Sequence, residues 1–275
     1  MTITEIGGAA LEVRIVPGHR RLDLQAYTSI LSEVRKTLEE VDRAAIPTRT
    51  PRMHWAIKDM SMRDEVRIIL TPKEVPNKRA ISTLSVPTEG LVSGVQSLSK
   101  VAEIPAYFTD ATVNRVGIIG KHVKSGEVGR VAVASMRAPN EWATVDQVTT
   151  SNAARAVEPV KRSSSSISGV LEVLEHRAGR TPRAFLKVDG SKHAVRIEAR
   201  EDQSTLLREA WGEHVLAEGL LKRNILGQPV SLVLDSIANI PDRGSSVSPW
   251  ELLGIDPKFT DGLSTEEYVK RVRRG

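Results

Sequence analysis

The sequence predicts an α+β protein: a two-layer antiparallel sheet-and-helix N-terminal domain, a small β-barrel, and a short helical C-terminal tail. Three observations carry this. Helical stripes and period-two alternations mix over residues 1–160, and five alternations with a single helix follow the serine run "SSSS". The end of the chain carries two capped apolar segments. At 275 residues, with 40% hydrophobic and 27% charged content, the chain has the length and balance of a globular protein with a buried core.

"LEVRIV" (11–16) alternates Leu11, Val13 and Ile15 against Glu12 and Arg14, the period of a half-buried strand. Asp23 then caps a long helix whose Leu24, Tyr27, Leu31, Val34, Leu38 and Val41 recur at three- and four-residue steps on one side. "IPTRTP" ends it, because proline cannot continue a helix. "MHWAIKDM" (53–60) and "EVRIILT" (65–71) form a hairpin. Leu91, Val95, Leu98 and Val101 mark a second helix, and Thr109 or Asp110 caps a third. "GRVAVAS" (129–135) and "EWATV" (141–145) pair as strands before an Ala-rich helix at 152–157. The order β-α-β-β-α-α-β-β-α gives helices on one face of an antiparallel sheet. The expected N-terminal domain spans 1–160.

Residues 161–167 are expected as a linker, since four consecutive serines offer little apolar surface and compete for backbone hydrogen bonds. From 168 to 241 three alternating strands, one helix closed by Gly212 and two more strands follow one another. That order resembles the oligonucleotide/oligosaccharide-binding (OB) fold over about a quarter of the chain, by element order and alternation alone. The resemblance implies a nucleic-acid face, for which the candidates are Arg183, Phe185, Lys187, Lys192 and Arg196, with Arg180 beside them. A solvated charged face on a structural barrel is the competing reading.

No catalytic or metal constellation reads from the sequence. The six histidines stand in no HxxxH, HExxH or HxH spacing, and cysteine is absent, which removes disulfides and thiolate chemistry. "GIIGK" (117–121) lacks the four-residue spacing and the hydroxyl residue of a phosphate loop, and reads as a helix end or turn. The expectation is therefore a protein that is not an enzyme and uses no cofactor or metal. No apolar run approaches the ~20 residues of a membrane span, and no signal peptide is read at the start. Together these give an expected bacterial cytoplasmic location. The net charge of +5, from 39 basic and 34 acidic residues, is compatible with an acidic protein or nucleic acid as partner.

The hinge and tail (242–275) hold Trp250, Phe259 and Tyr268, out of four Trp, three Tyr and three Phe in the whole chain. Ser248-Pro249-Trp250-Glu251 reads as N-cap to N3 of a short helix, with proline preorganised at N1. Ser264-Thr265-Glu266-Glu267 repeats that logic, with Leu263 and Tyr268 placed as a hydrophobic staple. Helices this short need a surface to bury against, either the chain's own body or a partner. "LLGIDPKFTDGLSTEEYVKRVRRG" is similar to the C-terminal tails of bacterial antitoxins paired with PIN-domain ribonucleases. That resemblance implies a protein partner with an acidic magnesium site. It implies anchors at Trp250, Leu253, Phe259 and Tyr268, with Arg271, Arg273 and Arg274 directed at the partner's carboxylates. It covers about a tenth of the chain, and the body shows no ribbon-helix-helix, AbrB-like or helix-turn-helix pattern.

Overall fold

The computed structural model describes residues 8–19, 23–46, 50, 52–74, 79–175, 182–240 and 270–271. The chain divides into two compact units, Met1–Ile240 and Pro241–Gly275. In the first unit the N-terminal elements are β1 (Leu11–Pro17), α1 (Leu24–Ala45), β2 (Trp55–Met62), β3 (Val66–Pro72), α2 (Val86–Lys100), α3 (Asp110–Lys124), β4 (Val128–Ser135), β5 (Ala143–Val145) and α4 (Gln147–Val157). Their order is the one the hydrophobic periods predict.

The sheet runs β2-β3-β1-β4-β5 and every neighbouring pair is antiparallel. Leu11, Val13 and Ile15 of β1 point to the helices and are wholly buried with Ile68, Val131, Val133 and Val145. Ile30, Val34, Leu38 and Val41 of α1 and Leu91, Val95 and Leu98 of α2 cover that face. Asp23 caps α1 by accepting from the backbone N–H of Gln25 and Ala26, and Thr109 caps α3 through a reciprocal bond with Thr112. "GIIGK" lies inside α3. The opposite sheet face is charged: Glu12 accepts from Arg14 at 2.9 Å and Arg67 at 2.6 Å, and Arg14 stacks 4.3 Å over Trp142. Burial pushes the Glu12 carboxyl up, but the bonds from Arg67 and Arg14 outweigh it and hold it below its ordinary value.

The second half is a closed five-stranded barrel, compatible with the expected OB-like architecture. Its strands are β6 (Lys161–Glu175), β7 (Arg183–Val188), β8 (Ala194–Glu198), β9 (His214–Arg223) and β10 (Pro229–Asn239), with the short helix α5 (Ser204–Glu209) between β8 and β9. The order around the barrel is β10-β8-β7-β6-β9, and the β8–β10 seam is parallel. Leu171, Leu186, Val195, Ile197, Val215, Leu221 and Leu232 fill the interior, with Leu207 of α5 packed into the same cluster.

The serine run is corrected by this arrangement: it is strand, not linker. Ser163–Ser166 pair residue by residue with Leu221–Glu218 of β9. Their side chains are largely exposed, so the ladder, which satisfies the backbone N–H and C=O groups, decides the conformation where burial does not. The two halves also share polar joints. Tyr107 donates its N–H to the Lys192 carbonyl at 2.8 Å, Gln228 bonds both backbone groups of Ile104, and Asn224 Nδ2 donates to the Ala156 carbonyl at 2.9 Å.

Candidate functional site

β7 and β8 place Ala184, Leu186, Val195 and Ile197 inward, so Phe185, Lys187 and Arg196 face outward. The register sets Phe185 directly opposite Arg196 and Lys187 opposite Ala194. The structure thus brings Phe185 and Arg196 together, with Lys187 one step along the same strand. Lys192 is exposed in the β7–β8 turn. Arg183 opens β7 with its side chain outside the described set, and Arg180 lies outside the described residues.

That outer face is largely engaged by the helical layer. Phe185 lines a narrow crevice, about 420 Å³ when the open solvent at its mouth is included, with Glu40, Arg43 and Ala44 of α1, Thr109, Glu172 and Ala194. Arg196 pairs with Asp110 at the start of α3 (3.1 Å) and with Glu198 (2.8 Å), and Glu198 in turn meets Lys222 at 3.3 Å. Lys187 lies 3.9 Å from Glu172. Above the crevice, Arg115 of α3 bridges Glu33 (2.9 Å) and Glu40 (2.7 Å) of α1, and Thr112 donates to Glu40 at 3.0 Å.

Burial sets the ionisation of the groups around this joint. It raises the Asp110 carboxyl against the pull of Arg196, and raises Glu172 against Lys187 and Arg52. It lowers His193, whose Nδ1 lies 2.6 Å from Ser191 Oγ while its buried Nε2 has no hydrogen-bond partner among the described residues. The Glu33–Glu40–Arg115 bridge was not anticipated from the sequence. Its signal is the seven-residue spacing of two acids on α1, which puts both on one helix face.

A longer groove opens at the other end of the sheet. Pro17, Gly18 and His19 line it with Lys124–Gly126 and Asp146–Val148, around some 1140 Å³ of partly open space. Lys124 and Gln147 continue into a second hollow with Thr150, Ser151 and Arg155. Among the described residues no three His, Asp or Glu side chains converge as a metal site, and no helix is long and apolar enough to cross a membrane.

Of the tail candidates, Trp250, Leu253, Phe259, Tyr268, Arg273 and Arg274 lie outside the described residues; Arg271 is helical and exposed beside Lys270. In comparisons with known proteins, no family model matches the chain and no curated protein matches it.

Proposed function

We propose that this protein is a non-enzymatic binding protein that engages a partner protein through residues 242–275. The observation that carries the reading is the partition of the chain. The body, to Ile240, buries its own apolar clusters, while Pro241–Gly275 is a separate compact unit. The tail's two capping sequences and its apolar anchors favour a segment that gains its burial by docking. The similarity to antitoxin tails points to a PIN-type ribonuclease, whose acidic metal site would receive Arg271, Arg273 and Arg274. The test is co-expression of candidate nucleases with the full chain and with a chain ending at Ser248. Loss of partner recovery on truncation is expected; equal recovery by both chains overturns the reading.

A second reading, nucleic-acid binding by the barrel, is favoured by its closed five-stranded order with a parallel seam. Against it stands the engagement of Phe185 and Arg196 by α1 and α3, because the strand 2–3 face is the one OB barrels use. Salt-dependent binding of single-stranded DNA that is lost in Phe185→Ala would support it. No binding at low salt removes it.

A further inference from the structure

We propose that the N-terminal sheet continues through β2 into the sheet of a second copy of this chain, making a homodimer with ten continuous strands. β2 is an edge strand eight residues long, and among the described residues only β3 pairs with it. On the side of the helical layer it is apolar and bare: Ile57 is 53% exposed, Met60 49% and Met62 64%. These residues stand opposite Leu70, Ile68 and Val66, whose side chains turn to the helical layer. The apolar stripe of α1 runs out beside them. Val34, Leu38 and Val41 are buried, but Leu24 is 76% exposed, and Tyr27 donates its hydroxyl to Met60 Sδ at 3.1 Å. Methionine suits such a surface because its flexible thioether adapts to a partner.

The bulge in β2 and the adjacent Lys58–Asp59 charges favour a second β2 as the occupant. The register with β3 slips between Ile57 and Asp59, so Ile57 and Met60 fall on the same face although they stand three positions apart. A regular strand laid along this edge must set two β2 residues against one of its own at the bulge, as β3 does. A second β2, running antiparallel with the dyad between Lys58 and Asp59, carries its own bulge to the same level. Ile57 then lies opposite Met60, Trp55 opposite Met62, and Ala56 opposite Ser61, with faces matched throughout. Lys58 falls opposite Asp59 twice, once on each side of the dyad. Sliding one copy by two residues sets Met60 against Asp59. Lysines and bulges usually blunt an edge against pairing; a second β2 meets the bulge with a bulge and each Lys58 with an Asp59. The other edge, β5, is only three residues long and offers little to pair.

The test is the mass of the full chain by sedimentation equilibrium from low to high micromolar concentration. Wild type is expected to approach twice the chain mass. Lys58→Glu, which sets two like-charged pairs across the dyad, should weaken association at least about tenfold. Combining it with Asp59→Lys should restore association, since Arg67 keeps Glu12 at 2.6 Å when it loses its 3.7 Å contact with Asp59. Met60→Glu should leave a folded monomer, with folding checked by the thermal melt because the side chain is half exposed. A monomeric wild type overturns the proposal, as it would if a different protein or the tail covered the edge. So does a dimer indifferent to Lys58→Glu and Met60→Glu, or a charge swap that fails to restore what Lys58→Glu lost.

Discussion

Among the described residues the sheet and the barrel contain five strands each, yet they leave opposite things exposed. The sheet stays open: helices cover one face, the Glu12–Arg14–Arg67 cluster covers the other, and among the described residues β2 is left with one free edge. The barrel closes, and closure removes its edges. Glycine permits that closure at two close approaches. A Cβ on Gly169 would lie 2.1 Å from the Lys187 carbonyl oxygen, and one on Gly219 would lie 2.0 Å from that of Val233. β6 passes Gly169 as it exchanges β9 for β7 as its neighbour. A closed barrel can be approached only through its outer face, part of which the helices already occupy. An open sheet keeps hydrogen-bonding capacity in reserve.

The largest effect expected from breaking either half lies at the C-terminal end of α1. The Arg79 and Asp42 side chains, 0% and 1% exposed, pair at 2.6 Å, and Asp42 Oδ2 also accepts the Met53 N–H at 3.4 Å. Arg79→Leu leaves a buried carboxylate unpaired and should cost about 3–5 kcal/mol in urea denaturation. Next comes the barrel. Gly219→Ala drives a methyl group into backbone rather than into a side chain that can swing away, and should cost about 2–3 kcal/mol. Hydrogen exchange sharpens the comparison. If β6–β10 lose protection in this variant while α1–α3 keep theirs, the halves unfold separately; uniform loss makes the body one cooperative unit.

The joint between the halves ranks third. Arg196→Ala strips the buried Asp110 of its counter-charge and should cost about 1–3 kcal/mol. Asp110→Asn should cost less, because burial already raises the Asp110 carboxyl in spite of Arg196. Thermal melts of the two variants check the ranking. An Asp110→Asn loss equal to that of Arg196→Ala would mean the pair is fully compensated.

The sequence made the elements legible and hid their boundaries and joints. Apolar periodicity places α1 and every strand of the sheet, because one buried face imposes one period. It does not place Ser163–Ser166, whose conformation comes from the β9 ladder and leaves no trace in side-chain pattern. The same holds for the candidate nucleic-acid face. Lys187 and Arg196 read as an exposed basic patch beside Phe185 because their charges are visible, whereas Glu172 and Asp110, which pair with them, lie on other elements. The β2 edge was in plain view as "WAIKDM", but only the β3 register reveals the bulge that turns Ile57 and Met60 to one side.

The smallest effect expected is also at the joint, and pH exposes it. His193 is buried beside Ser191 in the β7–β8 turn, next to the Lys192 carbonyl that holds Tyr107, and burial lowers its pKa below the ordinary 6.5. The folded state therefore favours neutral imidazole. Its contribution to stability is present above the unfolded value and is lost as pH falls through the folded one. Asp110 has the opposite sign: its raised pKa gives stability that is present at low pH and lost as pH rises through its folded value. Glu12 and Glu33, held down by their arginine and lysine partners against burial, lose their contribution only as pH falls through the carboxylate range. The first loss on acidification thus belongs to His193. Between about pH 7 and pH 5 the melting temperature of the wild type should fall more than that of His193→Gln. Equal slopes would show that the joint tolerates a charged imidazole, and would move the pH sensitivity of the body to the carboxylates of the open sheet and α1.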